Sequence, residues 1–144
     1  MDRTRAVLDQ LRARGIRVAI DDFGCGYSAL SYLRDLPIDE VKLDRQFITP
    51  ILVDGRSAAI VRAVIDLSQE LGVTTVAEGV ENAETADRLR EYGCEIVQGY
   101  HCSPPVDAAD ILDLIRGSKQ CCGEGATERS SGVQVALPLG EIGH

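Results

Sequence analysis

The chain has 144 residues, enough for one packed domain, and its 44% apolar content is that of an ordinary globular protein. A formal charge of -8 excludes a nucleic-acid polymer as the main partner, because binding a phosphate backbone needs a basic face. No apolar run reaches membrane-spanning length and the opening Met1-Asp-Arg-Thr-Arg5 does not read as a signal peptide, so a cytoplasmic chain is expected. The five cysteines, Cys25, Cys94, Cys102, Cys121 and Cys122, show no C-x-x-C spacing and read as reduced thiols rather than as a disulfide framework or a zinc site.

From Thr4 to Arg14, Val7, Leu8 and Leu11 recur at helical spacing, and Gly15 is placed to end that helix. Ile16, Val18 and Ile20 then alternate with Arg17, Ala19 and Asp21, the period of a strand. Gly24 and Gly26 permit a tight turn, and Ser28 can cap a short helix around Leu30 to Leu36. After Pro37, Val41-Lys-Leu-Asp44 predicts a second strand with Val41 and Leu43 on one face and Lys42 and Asp44 on the other. The longest helical pattern runs from Ser57 to Leu71, with Ile60, Val61, Val64, Leu67 and Leu71 assigned to one buried side and Gly72 as its stop. Val73 to Glu78 predicts a third strand, Asn82 caps a helix that Gly93 closes, Ile96-Val-Gln98 predicts a fourth strand, and Asp107 caps a last helix through Ile115. From Lys119 the pattern fails. Residues 119–144 read as a flexible tail outside a domain over 1–118, although Val133, Val135, Leu137 and Leu139 alternate enough to allow a weak strand covering a sheet edge.

Four alternations of strand and helix predict an α/β fold with parallel strands joined by crossovers, so that all four strands end on one edge. Each ends in a polar group: Asp21, with Asp22 beside it, on the first; Lys42 and Asp44 on the second; Glu78 on the third; Gln98 on the fourth. Sites in parallel α/β proteins are built at that edge.

Asp21, Asp22 and Glu78 offer hard oxygen ligands suited to Mg²⁺ or Mn²⁺, and two such ions could activate water and steady a phosphate oxyanion. Lys42 adds a fixed cation that could orient the water or stabilise charge on a phosphoryl group. The bland alternative is an internal ion pair of Lys42 with Asp44 or Glu78. Gly24-Cys-Gly-Tyr-Ser-Ala29 also fits a dinucleotide fingerprint, but Asp21 and Asp22 would repel the pyrophosphate. Asp22-Phe-Gly24 matches a kinase metal motif without the catalytic loop that should precede it.

Five motifs together resemble a known family: Ile20-Asp-Asp-Phe-Gly-Cys-Gly-Tyr-Ser28, Leu33-Arg-Asp-Leu-Pro37, Val41-Lys-Leu-Asp-Arg45, Val76-Ala-Glu-Gly-Val-Glu81 and Gln98-Gly-Tyr100. In this order and spacing they are similar to the C-terminal half of an EAL domain, the bacterial phosphodiesterase of cyclic di-GMP, over about residues 2–117. The resemblance implies a partial TIM-like (β/α) barrel of about four parallel strands with flanking helices, and hydrolysis of cyclic di-GMP to the linear dinucleotide with Mg²⁺ or Mn²⁺. It implies Asp21, Asp22 and Glu78 as metal-site carboxylates, and Lys42 as the lysine facing water or phosphate. Asp44, in that same strand motif, is taken with Lys42 and Glu78 as a catalytic candidate, and Glu81 and Gln98 stand in site-supporting positions. The turn of Phe23, Gly24, Gly26, Tyr27 and Ser28 resembles the loop that couples metal binding to dimerisation, with Cys25 where the family usually has threonine or alanine.

The Glu-Ala-Leu signature and the further Asn and Glu ligands of the family belong to a portion ahead of these motifs, and a complete barrel needs about 250 residues. The isolated chain is therefore expected to be inactive, and to have as partner either a second copy or the N-terminal half of the barrel. Two copies are expected to meet through inner faces carrying Ala19, Val76 and Ile96. A catalytically silent dinucleotide-binding or protein-interaction module is the alternative.

Overall fold

The computed structural model describes residues 2–24, 29–112 and 134–137. Helix α1 (Asp2–Ala13) leads through Gly15, in a left-handed conformation, into strand β1 (Arg17–Phe23). Then follow α2 (Ala29–Asp35), β2 (Glu40–Leu43), α3 (Arg45–Ile48), α4 (Gly55–Glu70), β3 (Thr74–Glu78), α5 (Ala83–Glu91), β4 (Ile96–Gln98) and β5 (Gln134–Leu137). The strands form one parallel sheet in the order β4-β3-β2-β1-β5. From β1 to β4 each strand lies beside its successor, the arrangement of a partial (β/α) barrel.

One face of the sheet makes the core. Val18, Ile20, Val41, Leu43 and Ala77 pack with Leu8 of α1, Leu33 of α2, Ile48 of α3, Val61 and Ile65 of α4 and Leu89 of α5. Residues one step along each strand point the other way, which puts Asp21, Lys42 and Glu78 on the opposite face. Helix starts follow their caps. The Asp54 carboxylate accepts from the Arg56 and Ser57 N–H groups, and Asn82 Oδ1 accepts from the Thr85 N–H at 2.8 Å.

The N-terminal ends of the strands are tied by Asp39. Its Oδ2 accepts from the Val18 N–H at 2.8 Å, its N–H donates to Val18 O at 2.8 Å, and its carbonyl accepts from Thr74 N–H at 3.0 Å. Arg12 of α1 donates to Asp39 Oδ1 from Nε at 3.1 Å and from its terminal nitrogen at 2.8 Å. One side chain thus joins α1 and β1 to the turn that enters β2, with β3 bonded to its carbonyl.

Several expectations are corrected. Phe23, placed in the turn by its motif, ends β1 and is buried in the core. Asp44 lies just past β2 and caps α3, a four-residue helix that the sequence pattern did not reveal. On α4 the buried residues are Val61, Ile65 and Ser68, whereas Ile60, Leu67 and Leu71 are exposed. Ala19 and Val76, expected to await further strands, are buried, and of that trio Ile96 is exposed. Residues 134–137 join the sheet rather than lying outside the fold: they pair in parallel with Arg17–Ile20 and cover the outer edge of β1. After a turn over 108–110 the chain is helical at 111–112, and the rest of the helix expected there lies outside the described residues. So do Cys25, Gly26, Tyr27 and Ser28. Among the described residues Cys94 and Cys102 form no disulfide. Among the described residues no helix is long and apolar enough to cross a membrane.

Candidate functional site

In a regular strand adjacent residues face opposite sides, so Asp21 and Asp22 could not share a site. The structure solves this with a bulge. Ile20 pairs with Val41 and Phe23 with Leu43, so two residues of β1, Asp21 and Asp22, stand opposite the single Lys42 of β2. Asp22 has a φ of 49°, a left-handed conformation that costs a residue with a Cβ some strain but is best tolerated by Asp and Asn. The bulge keeps Phe23 in the core and turns both carboxylates to one mouth, where they meet Glu78 at the end of β3.

Asp21, Asp22 and Glu78 each offer a carboxylate oxygen, and the three oxygens lie within 4.8 Å of one another. Lys42 stands among them: its Nζ is 3.1 Å from Asp21 Oδ1 and also pairs with Glu78 Oε1. The ion pair expected as the alternative to catalysis is therefore formed with Glu78, and with Asp21 rather than Asp44. Partial burial alone would lower the Lys42 pKa, but hydrogen bonds to Glu78 and Asp21 and the charges of both hold it above the usual lysine value. The ammonium is thus charged across the physiological range. The Asp22 carboxyl is raised above its ordinary value by desolvation, by the negative charges of Asp21, Asp44 and Glu78, and by a hydrogen bond with Asp44.

Three carboxylates less one ammonium leave two negative charges, the charge that a divalent cation balances. The donors are all hard oxygens, with no sulfur or imidazole among them. The cluster therefore fits Mg²⁺ or Mn²⁺ and not a thiophilic ion.

Beside the cluster opens a pocket of about 330 Å³ lined by Asp44, Arg45, Glu78, Gly79, Glu81, Gln98, Gly99 and Tyr100. It brings together Asp44, Glu78, Glu81 and Gln98 of the sequence-derived set. Asp44 Oδ1 is engaged in capping, accepting from the Gln46 N–H at 2.7 Å. Glu81 pairs with Arg45 at 3.3 Å across the opening. Two glycines permit this closeness: a Cβ on Gly79 would collide with Arg45 Cβ, and one on Gly99 with the Val80 carbonyl. The Val80 N–H donates to Gln98 O at 3.0 Å and the His101 N–H to Val80 O at 3.0 Å, so the loops after β3 and β4 are locked together. Arg45 and Tyr100 had no assigned role in the sequence reading, although both stand at the ends of its motifs. Among the described residues lining the pocket, Tyr100 is the exposed aromatic ring, and that exposure is visible only in the structure.

Comparison with known proteins follows the same lines. The EAL domain family model matches residues 1–105. Cyclic di-GMP phosphodiesterase NbdA of Pseudomonas aeruginosa is 45% identical over 116 residues, which are 81% of this chain and 15% of that protein. The EAL domain of Mycobacterium smegmatis DcpA aligns with a TM-score of 0.76 at 41% identity, covering 81% of this chain and 52% of the other. Klebsiella pneumoniae BlrP1, in complex with manganese and cyclic di-GMP, aligns with a TM-score of 0.64 at 42% identity, covering 69% of this chain and 25% of the other. The chain thus spans about half of the solved EAL domain and a quarter or less of the other two proteins.

Proposed function

The chain belongs to the EAL domain family, and from that premise we propose that its strand ends form one half of the active site of a cyclic di-GMP phosphodiesterase, which opens one phosphodiester bond to give the linear dinucleotide pGpG. The observation that carries this reading is the meeting of Asp21, Asp22 and Glu78 oxygens within 4.8 Å around an ammonium held by two of them.

In this reading Asp21, Asp22 and Glu78 hold Mg²⁺ or Mn²⁺. Bound there, a divalent ion would lower the pKa of a water molecule and stabilise negative charge on a phosphate oxygen. Lys42, charged and hydrogen-bonded on two sides, presents its remaining N–H to the water or to the phosphate and so orders the reacting groups. Asp44 acts through α3, fixing the helix start that places Arg45 over the pocket. Glu81 and Gln98 line the pocket that receives the rest of the dinucleotide. The partners are cyclic di-GMP and, at the edge of β4 that no described strand covers, a second copy or the remaining strands of a barrel. Relatives carry further barrel beyond the part this chain matches, and turnover is proposed for the closed barrel.

The test is reconstitution. The chain is mixed with the complementary half of a related EAL domain, given cyclic di-GMP and Mn²⁺, and the products are separated by chromatography. Metal-dependent pGpG that disappears with Glu78→Gln supports the reading. A reconstituted barrel that binds cyclic di-GMP but gives full turnover in the Glu78→Gln and Asp21→Asn variants would sink it.

A further inference from the structure

Strand β5 stands apart from the other four. The family match ends at residue 105, and β5 begins only at Gln134. It nevertheless pairs in parallel with β1 at four positions, from Arg17 with Gln134 to Ile20 with Leu137, against three positions for β3 with β4. Pro138 follows in the sequence and has no N–H with which to carry the ladder further.

The edge that β5 occupies is one that a barrel needs. In a closed barrel every strand has a barrel strand on both sides, whereas β1 has β2 on one side and β5 on the other. Neighbouring strands of a (β/α) barrel are parallel, and β5 already runs parallel to β1, so β5 and a further barrel strand call on the same row of backbone groups. Val18 turns its N–H and its carbonyl to Asp39 on the β2 side, each at 2.8 Å. The N–H and carbonyl of the next residue, Ala19, therefore face the outer edge. One N–H serves one strand, so the two occupants exclude each other. The cover is also incomplete. Pairing with β5 stops at Ile20, just before the bulge, and among the described residues no strand lies on the outer side of Asp21, Asp22 and Phe23. An incoming strand can start on that open stretch and extend towards Arg17 as β5 is peeled away.

We propose that β5 is a displaceable stand-in for a barrel strand, which keeps the outer edge of β1 closed until a strand of the complementary half of the barrel replaces it from the Asp21–Phe23 end. This rests on the barrel reading of the preceding subsection and adds its regulation. An uncovered edge invites pairing with any other chain. A segment of the same chain holds it at an effective concentration in about the millimolar range, so that only a partner with a larger surface to offer displaces it. The incoming strand begins beside Asp21 and Asp22, so barrel closure and completion of the carboxylate site are one event.

Two measurements on the whole chain test the proposal, each comparing the wild type with the double variant Val135→Pro, Leu137→Pro, which removes two N–H groups from the segment. In amide hydrogen exchange the Ala19 N–H should be protected in the wild type and exchange at least about tenfold faster in the variant. The Val18 N–H, held by Asp39, should stay protected in both. In titration calorimetry the complementary half of a related EAL domain should bind the variant about tenfold more tightly, because an edge that is open one time in ten lowers the apparent affinity by that factor. Equal affinity of the two proteins for that half overturns the stand-in role and leaves the barrel reading in place. A half that binds neither protein overturns the barrel reading and the proposal with it. Loss of protection at Val18, and at Val41 and Ala77 deeper in the sheet, would make β5 an integral strand rather than a displaceable one and overturns the proposal as well.

Discussion

Lys42 and Leu43 are neighbours in the chain and belong to two different worlds. Leu43 is buried beneath the helices, with Val41 and Ala77 beside it in the core, while Lys42 faces the other way into a ring of carboxylates. The same division runs through every strand, with Ile20 against Asp21 on β1 and Ala77 against Glu78 on β3. The difference teaches where stability and chemistry come from. Burial on the helix face scales with apolar area and needs no precise geometry. Ion pairs on the other face roughly balance desolvation against attraction, so they add little stability and are free to serve a ligand.

The largest expected effect breaks the helix face alone. Leu43→Ala should destabilise the fold by about 2–5 kcal/mol, the cost of a lost leucine plus the cavity it leaves, read by chemical denaturation. A loss below about 1 kcal/mol would mean that this face is not the core.

Next comes the ligand face. Glu78→Gln and Asp21→Asn should each weaken Mn²⁺ binding at least about tenfold, roughly 1.4 kcal/mol, followed by electron paramagnetic resonance of the free ion. Neither should move the denaturation midpoint as far as Leu43→Ala does. Equal Mn²⁺ affinity in all three proteins would take Asp21 and Glu78 off the metal.

Lys42→Ala sharpens the contrast because its two effects have opposite signs. Removing the ammonium leaves three carboxylates uncompensated, so Mn²⁺ should bind several-fold more tightly, about 1 kcal/mol. Turnover in the reconstituted barrel should nevertheless fall, since the group proposed to order water or phosphate is gone. Weaker Mn²⁺ binding in this variant would contradict the charge balance drawn here.

The helix face should also show a pH dependence. Burial pushes the Cys94 thiol up to about 11, opposed by hydrogen bonds to the Ile96 and Ala77 backbone and reinforced by the charge of Glu95. The folded state therefore disfavours the thiolate. Stability tied to Cys94 is fully present below the unfolded value of 9.0 and is lost as pH rises from there towards 11. Denaturation midpoints measured from pH 8.5 to 10.5, a window set by that linkage, should fall more for the wild type than for Cys94→Ala. Parallel curves would remove Cys94 as the cause.

Much of this division is legible in the sequence, because a strand's period of two separates Val41 and Leu43 from Lys42 without any knowledge of the partner strand. The capping residues and left-handed glycines ending α1, α4 and α5 are equally local. What the sequence hides depends on pairing across the fold. The bulge at Asp21 and Asp22 exists only relative to β2, and without it the two acids would diverge. Phe23 was drawn into a turn by its motif, although the same bulge returns it to the core. On α4 both stripes are apolar, so periodicity cannot say whether Ile60, Val64, Leu67 and Leu71 or Val61 and Ile65 meet the sheet. The place of residues 134–137 beside β1 rests on backbone pairing between segments far apart in the chain, for which four residues carry no address.

The knot at Asp39 carries a consequence for fidelity. A slip of one residue between β1 and β2 would rotate every side chain to the wrong face, exchanging Asp21 and Lys42 for Ile20 and Val41. Asp39 adds a polar check on the alignment, because its carboxylate meets the Val18 N–H and the Arg12 guanidinium together in the native register. The end of the sheet away from the carboxylate cluster thus acts as the proofreader for the end that carries it.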